Sequence, residues 1–352
     1  MHNALALLEI LDQIFMHVVS RDTLGVLART CKAFERSALD RLWSGDPWPI
    51  GTDALLCVLS QFLVKDEKGN IAGAKVDVEV PEQDSEDWDR IFRFTSRICG
   101  FSLRPAYIDP SALVTFVRHP SSVEKIFPKL RSLKICGTEV EFINACMEFI
   151  HPHLLSLTVS CHPDLLPVAL DAIPKRCPRL HSLILSLEFL SLYSSTDPPL
   201  VQAVTTAVAQ LPSITVLKCP DLDLDELHTI LPHIRFQRLT IENMGEPRPR
   251  AIQGPNSGVP SNGYSIESIG LSSSCLSFTL PLFSNLQGSP KSLNLSGPDN
   301  DDDPSQDPEY VRALIRLTIA SIWALSDLCP SLLLLKLRIS ASGLDLEKDI
   351  ER

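Results

Sequence analysis

Paired cysteines, long apolar runs, a basic surplus and familiar catalytic motifs are all missing from this 352-residue chain. Its 10 cysteines stand at 31, 57, 99, 136, 146, 161, 177, 219, 275 and 329, and no two form a Cys-x-x-Cys pair. That excludes a clustered zinc site, which draws thiolates from neighbouring positions. No apolar stretch reaches the ~18 residues of a membrane span, so no membrane partner is expected. The apolar start at 4–19 is interrupted by Glu9 and Asp12 and has no basic segment ahead of it, so no secretory leader is expected. Scattered cysteines without a leader point to a reducing compartment, cytoplasm or nucleus, with the thiols buried as small apolar groups. Nucleophile elbow, phosphate-binding loop, His-Glu-x-x-His and dinucleotide fingerprint are absent, so neither enzyme chemistry nor a cofactor is expected.

The charge balance narrows the field further. With 43 acidic and 32 basic residues the formal charge is −11, which argues against a nucleic-acid partner. The surplus is local. Residues 1–45 and the bulk of the chain are neutral, while 46–97 and 298–310 hold the whole excess, the latter with six acids and no base. These two segments read as solvated connections. Asp299 to Asp303 do not make a calcium loop, because Pro304 and Tyr310 fall where such a loop needs Gly and Glu. An apolar fraction of 44% excludes a disordered chain and suffices for one large domain or two.

What is present is a repeat. The pattern Pro-x-h-x-x-Leu-x-h, with h apolar, occurs at Pro128-Lys-Leu130-Arg-Ser-Leu133-Lys-Ile135 and at Pro152-His-Leu154-Leu-Ser-Leu157-Thr-Val159. It returns at Pro178-Arg-Leu180-His-Ser-Leu183-Ile-Leu185, Pro212-Ser-Ile214-Thr-Val-Leu217-Lys-Cys219 and Pro330-Ser-Leu332-Leu-Leu-Leu335-Lys-Leu337. Looser copies centre on Phe101, Leu239, Ile269 and Leu293. The intervals between the nine centres are 32, 24, 26, 34, 22, 30, 24 and 42 residues, each long enough for a strand, a turn and a helix. Helices are expected at 139–149, 165–176, 200–210, 223–231 and 309–328, each ended by the following proline. The last two apolar residues of each copy then turn inward from a short strand. One such unit cannot bury its own apolar face. Stacked, the strands form a parallel sheet with helices behind it. The pattern resembles irregular leucine-rich repeats, although the Asn that usually closes the strand consensus is missing. A Leu-rich doubly wound α/β enzyme is the alternative fold.

Residues 4–43 read separately. Leu8, Leu11, Ile14, Phe15 and Val18 recur at three- and four-residue spacing and make one helical face. Asp22-Thr23 signals the start of a second helix with Leu24, Leu27, Ala28 and Cys31. A third helix, 33–43, carries Phe34, Ala38, Leu39 and Leu42. Three helices in some 40 residues are marginal alone. The head is therefore expected to leave Leu11, Ile14, Phe15 and Trp43 exposed for a partner.

The order Leu8-Glu9-Ile10-Leu11-Asp12-Gln13-Ile14-Phe15, then Leu27-Ala28-Arg29-Thr30-Cys31-Lys32-Ala33-Phe34, then Leu42-Trp43, resembles the F-box motif. Lys75-Val-Asp-Val-Glu-Val80 and Asp87-Trp88-Asp89-Arg90-Ile91-Phe92 extend the similarity to the expanded F-box families of mushroom-type fungi, in which leucine-rich repeats come after the head. The resemblance implies a division into a helical head at 1–45, an acidic linking or capping segment at 46–97 and repeats at 98–352, with a loop at 243–263 and an acidic insertion at 298–310. It further implies that the head binds the Skp-type adaptor of a cullin–RING ubiquitin ligase through Leu8, Leu11, Ile14, Phe15, Leu24, Leu27, Cys31, Phe34, Leu42 and Trp43. Leu8 stands where the family has an early proline, which pre-sets the first helical turn, so the start of the first helix is open. A bundle that merely caps the repeat array is the alternative reading of the head.

Residues flanking each strand centre face away from the core. They are rich in small hydroxyls, with four cations and no carboxylate. Ser132, Lys134, Ser156, Thr158, Ser182, Lys218, Arg238 and Thr240 are the candidate contacts for a protein target, since short hydroxyl side chains permit close approach and can donate or accept. Short Ser and Thr also suit a concave sheet for steric reasons alone. His151 and His153 have metal-ligand spacing but precede the strand, where other copies hold Phe127 and Lys129 or Cys177 and Arg179, so they read as turn residues. No metal is expected. The function implied is a substrate receptor for ubiquitin transfer, holding ligase and target together. A scaffold whose head no longer binds the adaptor is the second class.

Overall fold

The computed structural model describes residues 8–45, 49–52, 54, 86–105, 123–186, 198–220, 236–244, 266–273, 291–296 and 334–338. It is an α/β chain in two compact units, Met1–Leu165 and Leu166–Arg352. The expected helices at 223–231 and 309–328, the acidic insertion at 298–310 and most of the loop at 243–263 lie outside the described residues.

The first unit opens with helices α1 (Leu8–Met16), α2 (Arg21–Thr30) and α3 (Lys32–Ser44). The second helix starts one residue before the Asp22-Thr23 signal, because Ser20 is the cap: its hydroxyl accepts the Thr23 N–H at 3.3 Å. Next in the chain are strand β1 (Ile50–Gly51), helix α4 (Glu86–Thr95), β2 (Gly100–Leu103), the short α5 (Val123–Ile126), β3 (Ser132–Cys136), α6 (Val140–Met147) and β4 (Ser156–Ser160). The four strands pair in parallel and in chain order. Both β1 and α4 fall inside the segment read from sequence as an acidic connection.

The second unit contains α7 (Leu166–Arg176), β5 (Ser182–Ser186), α8 (Pro198–Ala209), β6 (Val216–Pro220), β7 (Arg238–Met244), β8 (Ser268–Ser273), β9 (Ser292–Ser296) and β10 (Leu334–Arg338). These strands also pair in parallel and in chain order. Strand β7 runs into the expected loop as far as Met244, with a register shift against β8 between Ile241 and Met244.

The sequence repeat and the hydrogen-bond register coincide. Phe101, Leu133 and Leu157 are paired neighbours in the first unit. Leu183, Leu217, Leu239, Ile269, Leu293 and Leu335 are paired neighbours in the second. Four positions per copy are buried: Phe127, Leu130, Leu133 and Ile135 in one, and Leu211, Ile214, Leu217 and Cys219 in another. The first two of each set lie in a turn, the last two on the inward side of a strand.

The recurring Pro128, Pro152, Pro178 and Pro212 do fall just past helices, those ending at Ile126, Met147, Arg176 and Ala209, and each also has a place in a turn. In each of four copies the residue before Pro accepts a hydrogen bond from the N–H three residues on: Leu130 to Phe127, Leu154 to His151, Leu180 to Cys177 and Ile214 to Leu211, at 3.0–3.2 Å. Proline is thus the second residue of a β-turn, where its fixed φ is an advantage. Just before the strand, two successive N–H groups converge on one carbonyl of the preceding copy. Leu155 and Ser156 donate to Arg131, and Thr215 and Val216 to His181, at 2.8–2.9 Å. Turn and paired donors together set where each strand begins.

Candidate partner-docking surfaces

The head has a core of its own. Leu11, Phe15, Leu24 and Ala38 are 0–3% exposed, and Val18, Leu27, Ala28, Phe34 and Leu42 pack around them. Phe15 and Phe34 meet edge to face with ring centres 5.6 Å apart, the favoured aromatic geometry. The expectation that Leu11 and Phe15 are exposed is therefore corrected: a helix face at three- and four-residue spacing is the face that turns inward. Leu8 and Cys31 are half-buried. The Cys31 carbonyl accepts the Phe34 and Glu35 N–H groups at the start of α3. Trp43 is half-buried too, with its ring centre 5.1 Å from that of Phe94 on α4.

Ile14 alone of the sequence-chosen head residues is exposed, at 44%. It has company that sequence reasoning missed. Ile10, Met16, Val19 and Val26 are 38–64% exposed, so five of the eight large exposed apolar side chains among the described residues lie between 10 and 26. Ile10 and Ile14 are four residues apart on α1 and so lie side by side. The available signal was α1 itself. Leu-Glu-Ile-Leu-Asp-Gln-Ile-Phe-Met holds more apolar residues than one inward stripe can use, and the remainder must face outward.

The head is tied to α4 and to the start of β2. Arg93 pairs with Glu35 at 2.6 Å and Arg97 with Asp40 at 2.5 Å, joining α4 and the residues just after it to α3. The Cys99 N–H donates to the Ser44 carbonyl at 2.8 Å. Gly45 closes α3 in the left-handed conformation, φ 76°, and its backbone lies against that of Gly100. A Cβ on Gly100 would stand 2.8 Å from the Gly45 oxygen, so this approach requires the two glycines.

The outward strand residues form two groups. In the first unit Ser132 is paired with Ser156 and Lys134 with Thr158, all half-buried. In the second, Val216 is paired with Arg238 and Lys218 with Thr240, so Lys218, Arg238 and Thr240 share a face of β6 and β7. Ser182 on β5 is paired with Val216. Arg238 is exposed and the other three are half-buried. Thr240 leans over Gly270 of β8, where a Cβ would approach its hydroxyl to 3.2 Å.

The buried thiols match the reading of cysteine as packing material. Burial pushes the Cys177 thiol up to about 12, and Cys177 donates to the Ile173 carbonyl at 3.0 Å. Burial, with Cys136 nearby, also raises Cys146 well above its ordinary value. Such groups stay protonated and are not nucleophiles at neutral pH. Among the described residues no three His, Cys, Asp or Glu side chains are grouped to hold a metal, and no helix is long and apolar enough to cross a membrane. No protein-family model matches the chain, and no curated protein matches it significantly.

Proposed function

We propose that the chain is an adaptor-bound substrate receptor of a cullin–RING ubiquitin ligase, with an F-box-like head and an irregular leucine-rich-repeat array. The observation that carries this reading is the outward apolar face of the head. A three-helix unit that fills its own core and still leaves Ile10 and Ile14 exposed has apolar area to bury against a partner. The F-box resemblance names that partner as a Skp-type adaptor. The hydroxyl- and cation-bearing strand face then receives the target protein, and ubiquitin transfer results from holding ligase and target together.

The capping scaffold is the second reading. The backbone junction of Ser44 and Gly45 with Cys99 and Gly100 favours it, because a head so joined to the first strands suits a cap.

The test is co-purification of adaptor and cullin with the full chain. Ile10→Ala with Ile14→Ala should abolish capture, since central aliphatic anchors commonly cost about 2 kcal/mol each when truncated. Stability should hold within about 0.5 kcal/mol, because both side chains are exposed. The pair Leu11 and Phe15 is unsuitable here, since its removal empties the head's core. If the wild-type chain captures no adaptor, the scaffold reading takes its place.

A further inference from the structure

We propose that His151 makes the first unit acid-sensitive: a buried imidazole that must stay neutral for α6 and β4 to remain packed. The repeat itself isolates this residue. The position before proline holds Phe127, Cys177 and Leu211 in the other described copies, each fully buried. His151 occupies the same place at 5% exposure, so an ionisable ring stands where the fold otherwise takes an apolar group.

The hydrogen bonds define its state. The His153 N–H donates to His151 Nδ1 at 3.3 Å, so Nδ1 is the acceptor and the proton of the neutral ring is on Nε2. Nε2 is buried and has no hydrogen-bond partner. A second proton would have to enter at Nδ1, displacing the His153 N–H and leaving a buried cation. Three charged or titratable groups act on the ring. Burial, the largest cause, holds the imidazole below its ordinary value; Glu124 on α5 favours the cation, while His153 and Arg131 oppose it.

Proton linkage sets the direction of the effect. In the unfolded chain this histidine takes up its proton near an ordinary value of about 6.5. In the folded unit it resists, so the unfolded state binds more protons as the pH falls below that point. Stability from this site is complete above about 6.5 and is lost as acid is added, until the folded form also titrates. One such site changes an opening equilibrium by at most tenfold per pH unit.

Hydrogen exchange of the full chain, read by mass spectrometry and corrected for intrinsic rates, tests this. Between pH 7.5 and 5.5, protection of the amides at 140–160 should fall by up to about tenfold in the wild type. In His151→Phe, which restores the residue found at Phe127, it should stay level. Should the phenylalanine fail to fit, His151→Leu, after Leu211, serves the same purpose. Equal loss of protection in wild type and variant would overturn the proposal, as would no loss in either.

Discussion

In the strands, the repeated leucines whose burial is described point inward, in each unit. Leu133, Leu157, Leu183 and Leu217 are all within 1% of complete burial, and their outward neighbours are Ser, Thr, Lys or a β-branched residue. In the head, apolar residues face both ways. Leu11 and Phe15 are enclosed while Ile10 and Ile14, one residue before each, are exposed. The contrast is geometric. A strand alternates strictly, so an outward position takes polar residues without disturbing the inward ones. A short helix of nine residues has no such strict partition, and surplus apolar residues come to the surface. Apolar surplus in the head and polar hydroxyls on the strands therefore give the two regions chemically different surfaces.

The largest effects should come from the two cores. Leu157→Ala should cost about 2–5 kcal/mol and Phe15→Ala about 3–5 kcal/mol, measured by urea denaturation with circular dichroism. A cost below ~1 kcal/mol for Phe15 would break the comparison, because the head would then lack a core of its own.

The glycines sharpen it at the next scale. Gly45→Ala places a Cβ against the Gly100 carbonyl and holds alanine at positive φ, so a loss of about 1–3 kcal/mol is expected. Gly25, in the middle of α2, has nothing within 4 Å of an added Cβ. Gly25→Ala should instead stabilise the head by about 0.5–1 kcal/mol, through helix propensity alone. Thermal unfolding of the two variants should move in opposite directions.

The smallest effect is electrostatic. Arg93 and Glu35 are 58% and 40% exposed, so Arg93→Ala should cost less than about 1 kcal/mol, and less again in high salt. A larger loss would mean that α4 is held to α3 by this pair rather than by the Trp43–Phe94 contact.

Much of this was legible because strands repeat. The centres at 101, 133, 157, 183, 217, 239, 269, 293 and 335 were readable as one alignment, and the paired register within each unit matches them residue for residue. The helix at 86–95 and the strand Ile50–Gly51 were not legible. Two residues carry no periodicity, and the acidic character of the surrounding segment hid the apolar face of Ile91 and Phe94. In the head, Ile14 is exposed as expected, but Leu11 and Phe15 were assigned to the wrong side, since spacing reveals that a face exists and not what covers it.

Local chemistry in the sequence therefore determined the turn at the four described repeat prolines and the inward alternation, because both depend on φ and a two-residue period within a few positions. Only the tertiary structure decided which face of α1 is enclosed, that Gly45 meets Gly100, and that the imidazole at 151 is buried. Those depend on which distant segments arrive to cover a residue, and no local pattern records that.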